Sequence, residues 1–101
     1  YILHGVRYTV NTWKEMLIQV CGHMLIEKRS TIEWLCANEK YGFSTTQGDG
    51  RCELVPEMCV WTDNSTATKI NILHGMFEEC NISASELVFE FRSEQEGEYE
   101  E

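Results

Sequence analysis

The chain has 101 residues, a formal net charge of −9, 43% hydrophobic and 25% charged residues, and a single proline. That is the size and make-up of one globular domain; it excludes disordered, collagen-like and two-core architectures. No apolar run approaches the ~18–20 residues of a membrane-spanning helix. No secretory signal is legible, and the first residue is Tyr1 rather than methionine, so a preceding stretch is expected.

Residues 1–10 read as a hairpin, with Tyr1–Leu3 and Val6–Val10 joined by a tight turn at His4-Gly5 and with Val6, Tyr8 and Val10 alternating with Arg7 and Thr9. The period then changes. Trp13, Met16, Leu17, Val20, Cys21, Met24 and Leu25 make one helical stripe, capped by Asn11 or Thr12, with Thr12-x-x-Glu15 as a capping box. Gly22 lies inside this helix at a cost of about 1 kcal/mol relative to Ala, which suggests close approach by another element. Ser30-x-x-Glu33 reads as a second capping box, starting a short helix through Ile32, Leu35 and Cys36.

Short strands are expected at Gly42–Ser44, Cys52–Val55 and Met58–Thr62, with a loop over 45–50 and a turn at Pro56 that sets Cys52 opposite Cys59. Asp63-Asn64-Ser65 opens a third helix whose buried stripe is Ala67, Ile70, Leu73, Phe77 and Cys80. Residues 86–92 form a last strand, with Leu87, Phe89 and Phe91 on one face and Glu86, Val88, Glu90 and Arg92 on the other. The expected fold is α+β, in the order ββ-α-α-βββ-α-β, with helices on one face of a mostly antiparallel sheet. Residues 1–92 make the domain, and 93–101 form an acidic, disordered tail.

The charge is unevenly spread. Residues 1–50 hold five acids against five bases, whereas residues 51–101 hold twelve acids against three bases. Direct binding to nucleic acid needs a basic footprint and is not expected. A basic protein surface is the fitting partner, and its contacts are expected at acids on ordered elements or their edges: Glu53, Glu57, Asp63, Glu78, Glu79, Glu86 and Glu90.

Catalysis finds little footing. Cys21 and His23 are two residues apart on a helix and do not face each other, and His74 and Cys80 are likewise misplaced. No G-x-S-x-G, H-E-x-x-H or phosphate-binding glycine loop occurs. Glu78 and Glu79, adjacent on a helix, point apart, unlike a glycosidase pair. Phe43 and Trp61 read as core aromatics. The five cysteines are an odd number without a C-x-x-C pair, which suits free thiols in a reducing cytoplasm. No cofactor is implied. The best zinc candidate is Cys52 with Cys59 and two ligands from elsewhere. The sequons at Asn64 and Asn81 fall at helix ends and read as caps.

Tyr1-x-x-x-Gly5-x-Arg7-Tyr8-x-Val10-x-x-Trp13-Lys14-x-x-Leu17-x-x-Val20-Cys21 resembles the opening of a small α+β domain of bacterial and phage mobile-element and restriction-associated proteins. Tyr41-Gly42-Phe43-Ser44 is similar to its Tyr-Phe-Ser strand, and Leu87-Val88-Phe89 to its final strand. Val60-Trp61-Thr62-Asp63-Asn64-Ser65-Thr66-Ala67 resembles its strand-to-helix junction, which usually runs nearer to Val-Glu-Thr-Asn-x-Ser-Ala. The resemblance implies a non-catalytic role in the conflict between phage and host, and it supplies no catalytic residue. Three functions follow as expectations. One is an anti-CRISPR-like inhibitor that occupies the basic surface of a nucleic-acid-handling defence enzyme, by analogy. Another is a recognition or adaptor domain of a restriction-type system with an apolar interface. The third is a zinc-stabilised form of either.

Overall fold

The computed structural model describes residues 1–90. The expected acidic tail at 93–101, with Phe91 and Arg92 of the expected last strand, lies outside the described residues.

The chain opens with strands β1 (Ile2–Leu3) and β2 (Val6–Arg7), antiparallel about a two-residue turn. His4 and Gly5 hold φ of 52° and 80°, the left-handed pair that a type I′ hairpin turn requires. The strand is shorter than the alternation suggests, and Val6 is exposed. Tyr8 and Val10 still pack on the core although they lie past the strand end.

Helix α1 (Trp13–Glu27) is the spine of the fold. The Thr12 hydroxyl accepts from the Glu15 amide, and the Glu15 carboxylate reaches back to the Asn11 amide, one residue beyond the usual capping box. Leu17, Val20, Cys21 and Met24 are fully buried. A single residue, Lys28, ends α1 and starts helix α2 (Arg29–Ala37). Its amide donates to Met24 and its carbonyl accepts from Thr31 and Ile32. The expected capping box at Ser30 is therefore not formed, because so short a connection leaves Ser30 already inside the helix.

Strands β3 (Phe43–Ser44), β4 (Arg51–Val55) and β5 (Met58–Trp61) follow, with β5 central and all pairs antiparallel. Helix α3 (Thr66–Glu79) is capped by Ser65. It ends in a Schellman motif in which the Ile82 amide donates to the Phe77 carbonyl and the Asn81 amide to the Glu78 carbonyl, with Asn81 at φ 63°. After a 3₁₀ turn at Ala84–Glu86, strand β6 (Leu87–Val88) pairs with β1.

The class is α+β and the element order is the expected one. The sheet, however, is divided: among the described residues β2-β1-β6 and β3-β5-β4 form two three-stranded sheets. β1 and β5 each have both edges paired within their own sheet, so neither offers an edge to the other.

The third helix buries Leu73, Phe77 and Cys80 of the expected stripe but not its first two residues. Ala67 and Ile70 are exposed, whereas Ile72, Leu73, Met76, Phe77 and Cys80 are buried. Lys69 completes this stripe. Its aliphatic stem is buried and its Nζ donates to the Asn64 carbonyl at 2.6 Å. α1 packs against α2, α3 and β4, while α2 covers β3 and β5. Gly22, expected to admit a neighbour, has open space where a Cβ would sit.

Candidate functional site

The connection from α2 to β3 carries unusual backbone strain. Asn38 caps α2, the Lys40 amide donates to the Leu35 carbonyl and the Glu39 amide to the Cys36 carbonyl. Glu39 thus fills the position after the cap that glycine serves best, and it holds φ of 52°. Tyr41 follows at 54° and Gly42 at 85°. Left-handed residues with side chains cost about 1–3 kcal/mol each and cluster at working surfaces.

This strained loop is held from two sides. The Tyr41 ring lies against Gly75 of α3, where an added Cβ would come within 2.5–2.7 Å of ring carbons. The Gly42 carbonyl accepts from the Trp61 amide at 2.9 Å. The facing loop is held by one acceptor: the Gly50 carbonyl takes the Thr62 amide, the Asp63 amide and the Thr62 hydroxyl at 2.7, 3.0 and 3.2 Å.

Between the two loops lies a cleft of about 240 Å³ lined by Glu39, Gly42, Phe43, Ser44, Asp49, Arg51 and Trp61. Trp61 and Arg51 are cross-strand partners on one face of β4–β5, and Asp63 sits against Gly50 close to the Trp61 indole. Trp61, expected in the core, is 41% exposed, and Tyr41 is 39% exposed. Trp61 is the last residue of β5, and its neighbours Val60 and Thr62 are the buried ones. The cleft is smaller than the ~300–1,000 Å³ of small-molecule sites; its volume suits one inserted side chain of a partner.

Of the acids expected to make contacts, only Asp63 lies here. Glu53 and Glu57 share the β4–β5 hairpin, where the Glu57 amide donates to the Glu53 carboxylate. Glu78 and Glu79 are exposed on the last turn of α3. Glu86 and Glu90 are exposed but engaged: Glu86 with His4 at 2.9 Å, Glu90 with Arg7. The expected residues therefore fall on several separate elements. Glu39, Asp49, Arg51 and Tyr41 were missed. The legible signal for them was the glycine-rich loop at 45–50 and the Tyr41-Gly42-Phe43-Ser44 segment, which the fold brings against the 60–67 junction through the Phe43–Val60 pairing.

The cysteines do not form the expected pair. Cys52 is opposite Val60 and Cys59 opposite Glu53, so the two thiols lie on opposite faces of the hairpin. Among the described residues no three of His, Cys, Asp or Glu come together as metal ligands. Burial pushes the thiols of Cys21, Cys36, Cys59 and Cys80 above the ordinary range, which makes them poor nucleophiles. Among the described residues no helix is long and apolar enough to cross a membrane.

No protein-family model matches this chain, and neither a curated protein nor a solved structure matches it.

Proposed function

We propose that this chain is a non-catalytic binding protein whose Trp61 cleft docks on a basic surface of a nucleic-acid-handling bacterial defence protein and inhibits it by occupying that surface. The observation that carries the reading is an exposed indole beside a cleft lined by Glu39 and Asp49, which, with Asp63 close by, outnumber the one cation of the lining, Arg51. A partner Lys or Arg laid on the indole face gains cation–π attraction, and the carboxylates offset its charge. Trp, Tyr and Arg are also the side chains that most often anchor interfaces. The net charge of −9 adds long-range steering toward a basic partner. The choice of a defence protein rests on the resemblance of the hairpin–helix opening to mobile-element and restriction-associated domains.

The test is capture from a lysate of bacteria carrying defence systems, mass spectrometry of what is retained, and binding of the purified partner at increasing salt. Affinity is expected to fall with salt, chiefly through slower association. Trp61→Ala and the double variant Asp49→Lys/Asp63→Lys are each expected to weaken binding at least about tenfold, or about 1.4 kcal/mol. Binding that is indifferent to salt and to Trp61→Ala would sink this reading and favour the adaptor reading through an apolar surface.

A further inference from the structure

Residues 83–90, which share nothing with the Trp61 cleft, lie along β1 and the start of α1 as a thin strap. None of them is buried. Their apolar hold on the core is Leu87, set opposite Leu3, and Phe89, whose ring meets Trp13 edge-on at 5.1 Å. Strand β6 adds two residues of pairing with β1. A segment with so little apolar burial and so few backbone bonds belongs to the low-stability end of a fold.

Charged contacts pin the strap at both ends. At one end Arg7 of β2 pairs with Glu90. At the other, His4 joins three elements. Its amide donates to the Glu86 carbonyl at 2.9 Å, and its Nδ1 lies 2.9 Å from the Glu86 carboxylate. Its Nε2 lies 3.1 Å from both carboxylate oxygens of Glu27, the last residue of α1. Two ring nitrogens that each face a carboxylate can both donate only as the imidazolium. In the neutral ring one nitrogen turns a lone pair on its carboxylate, and the positive charge that draws Glu27 and Glu86 together is gone.

We propose that His4 is a pH-operated latch on this strap: protonated, it clamps the 3₁₀ turn to the end of α1 and the β1–β2 turn; neutral, it lets the 3₁₀ turn and β6 part from β1 and uncover Leu3. The hydrogen bond to Glu86 raises the His4 pKa above 6.5 against the opposing effect of burial, and Glu27 adds to the rise. The latch is therefore fully closed below about pH 6.5 and opens as pH climbs through the folded-state value. The Arg7–Glu90 pin contains no imidazole and stays in place.

Amide hydrogen exchange followed by NMR tests the proposal, with rates corrected for the intrinsic dependence of exchange on pH and with circular dichroism to confirm folding. The amide at position 4 is the reporter, because its acceptor is the strap itself. Its protection is expected to fall at least about threefold as pH is raised above about 6.5, while Val20 and Cys21 in the middle of α1 stay more strongly protected throughout. His4→Asn, and separately Glu27→Gln combined with Glu86→Gln, should flatten this pH dependence. Arg7→Ala should lower protection at every pH and leave the dependence in place. Protection at position 4 that does not change with pH overturns the proposal. So does a pH dependence that survives in His4→Asn. Protection at position 4 equal to that of Val20 overturns it too, since the strap would then open only with the whole fold.

Discussion

The Tyr41 ring and the α carbon of Gly75 are in direct apposition: a methyl group at position 75 would lie 2.5 Å from one ring carbon and 2.6 Å from the next. A glycine in mid-helix ordinarily costs about 1 kcal/mol against alanine. Here it makes room for the ring that ties the strained 39–42 loop to α3. Gly75→Ala is therefore expected to destabilise the parent by about 1 kcal/mol, the overpacking penalty of ~1–3 kcal/mol exceeding the gain in helix propensity. In a Tyr41→Ala background the same change should stabilise by about 1 kcal/mol. Denaturant melts of the four proteins measure this coupling. Equal effects of Gly75→Ala in both backgrounds would show that the ring and the helix are independent.

Glu39 occupies a left-handed position better suited to glycine, and its side chain lines the Trp61 cleft. Glu39→Gly should raise stability by about 1 kcal/mol in urea denaturation by relieving the backbone. The same variant should bind the basic partner less tightly, since a carboxylate leaves the cleft. If stability falls instead, the side chain holds the loop in a way that its contacts do not reveal.

His4 stands between two carboxylates, Nδ1 at 2.9 Å from Glu86 and Nε2 at 3.1 Å from Glu27, and so joins the β1–β2 turn, the end of α1 and the 3₁₀ turn. With an acceptor at each ring nitrogen, the doubly protonated ring fits best. The hydrogen bond to Glu86 raises the His4 pKa above 6.5, outweighing the opposing effect of burial, and Glu27 adds to the rise. A raised folded-state pKa means that this stabilisation is complete below the unfolded value near 6.5 and is lost as pH climbs through the folded one. The melting temperature should thus fall as pH rises above about 6.5, by more in the parent than in His4→Asn. Asn suits the comparison because it tolerates the left-handed φ. Identical pH profiles would remove His4 from the account of stability.

Size alone would rank Trp13 as the main anchor of α1. It is only half-buried, with its ring edge-on to Phe89 at 5.1 Å, while Leu17 is fully buried. Leu17→Ala is expected to cost about 2–5 kcal/mol, and Trp13→Ala less than the ~3–5 kcal/mol of a buried aromatic. Chemical denaturation ranks the two, and a larger loss at Trp13 would contradict the packing described.

The elements themselves were legible in the chain because their causes are local. A left-handed dipeptide at His4-Gly5 makes a hairpin turn, Thr12 and Ser65 cap the helices that follow them, and the period of 3.6 carries α1 through its whole length. What stayed illegible depends on neighbours distant in sequence. Two overlapping apolar stripes run along residues 67–80, and α1 and α2 select the one through Ile72 and Met76, which turns Ile70 outward and buries the stem of Lys69. Register decides faces in the same way: pairing Cys52 with Val60 rather than Cys59 separates two thiols that a tight turn at Pro56 alone would set opposite each other. The Trp61 cleft is wholly a tertiary product. Its walls come from the loop after α2, β3, the 45–50 loop, the start of β4 and the end of β5, segments with no common periodicity, and they meet because β3 pairs with β5 and Gly75 leaves space for Tyr41.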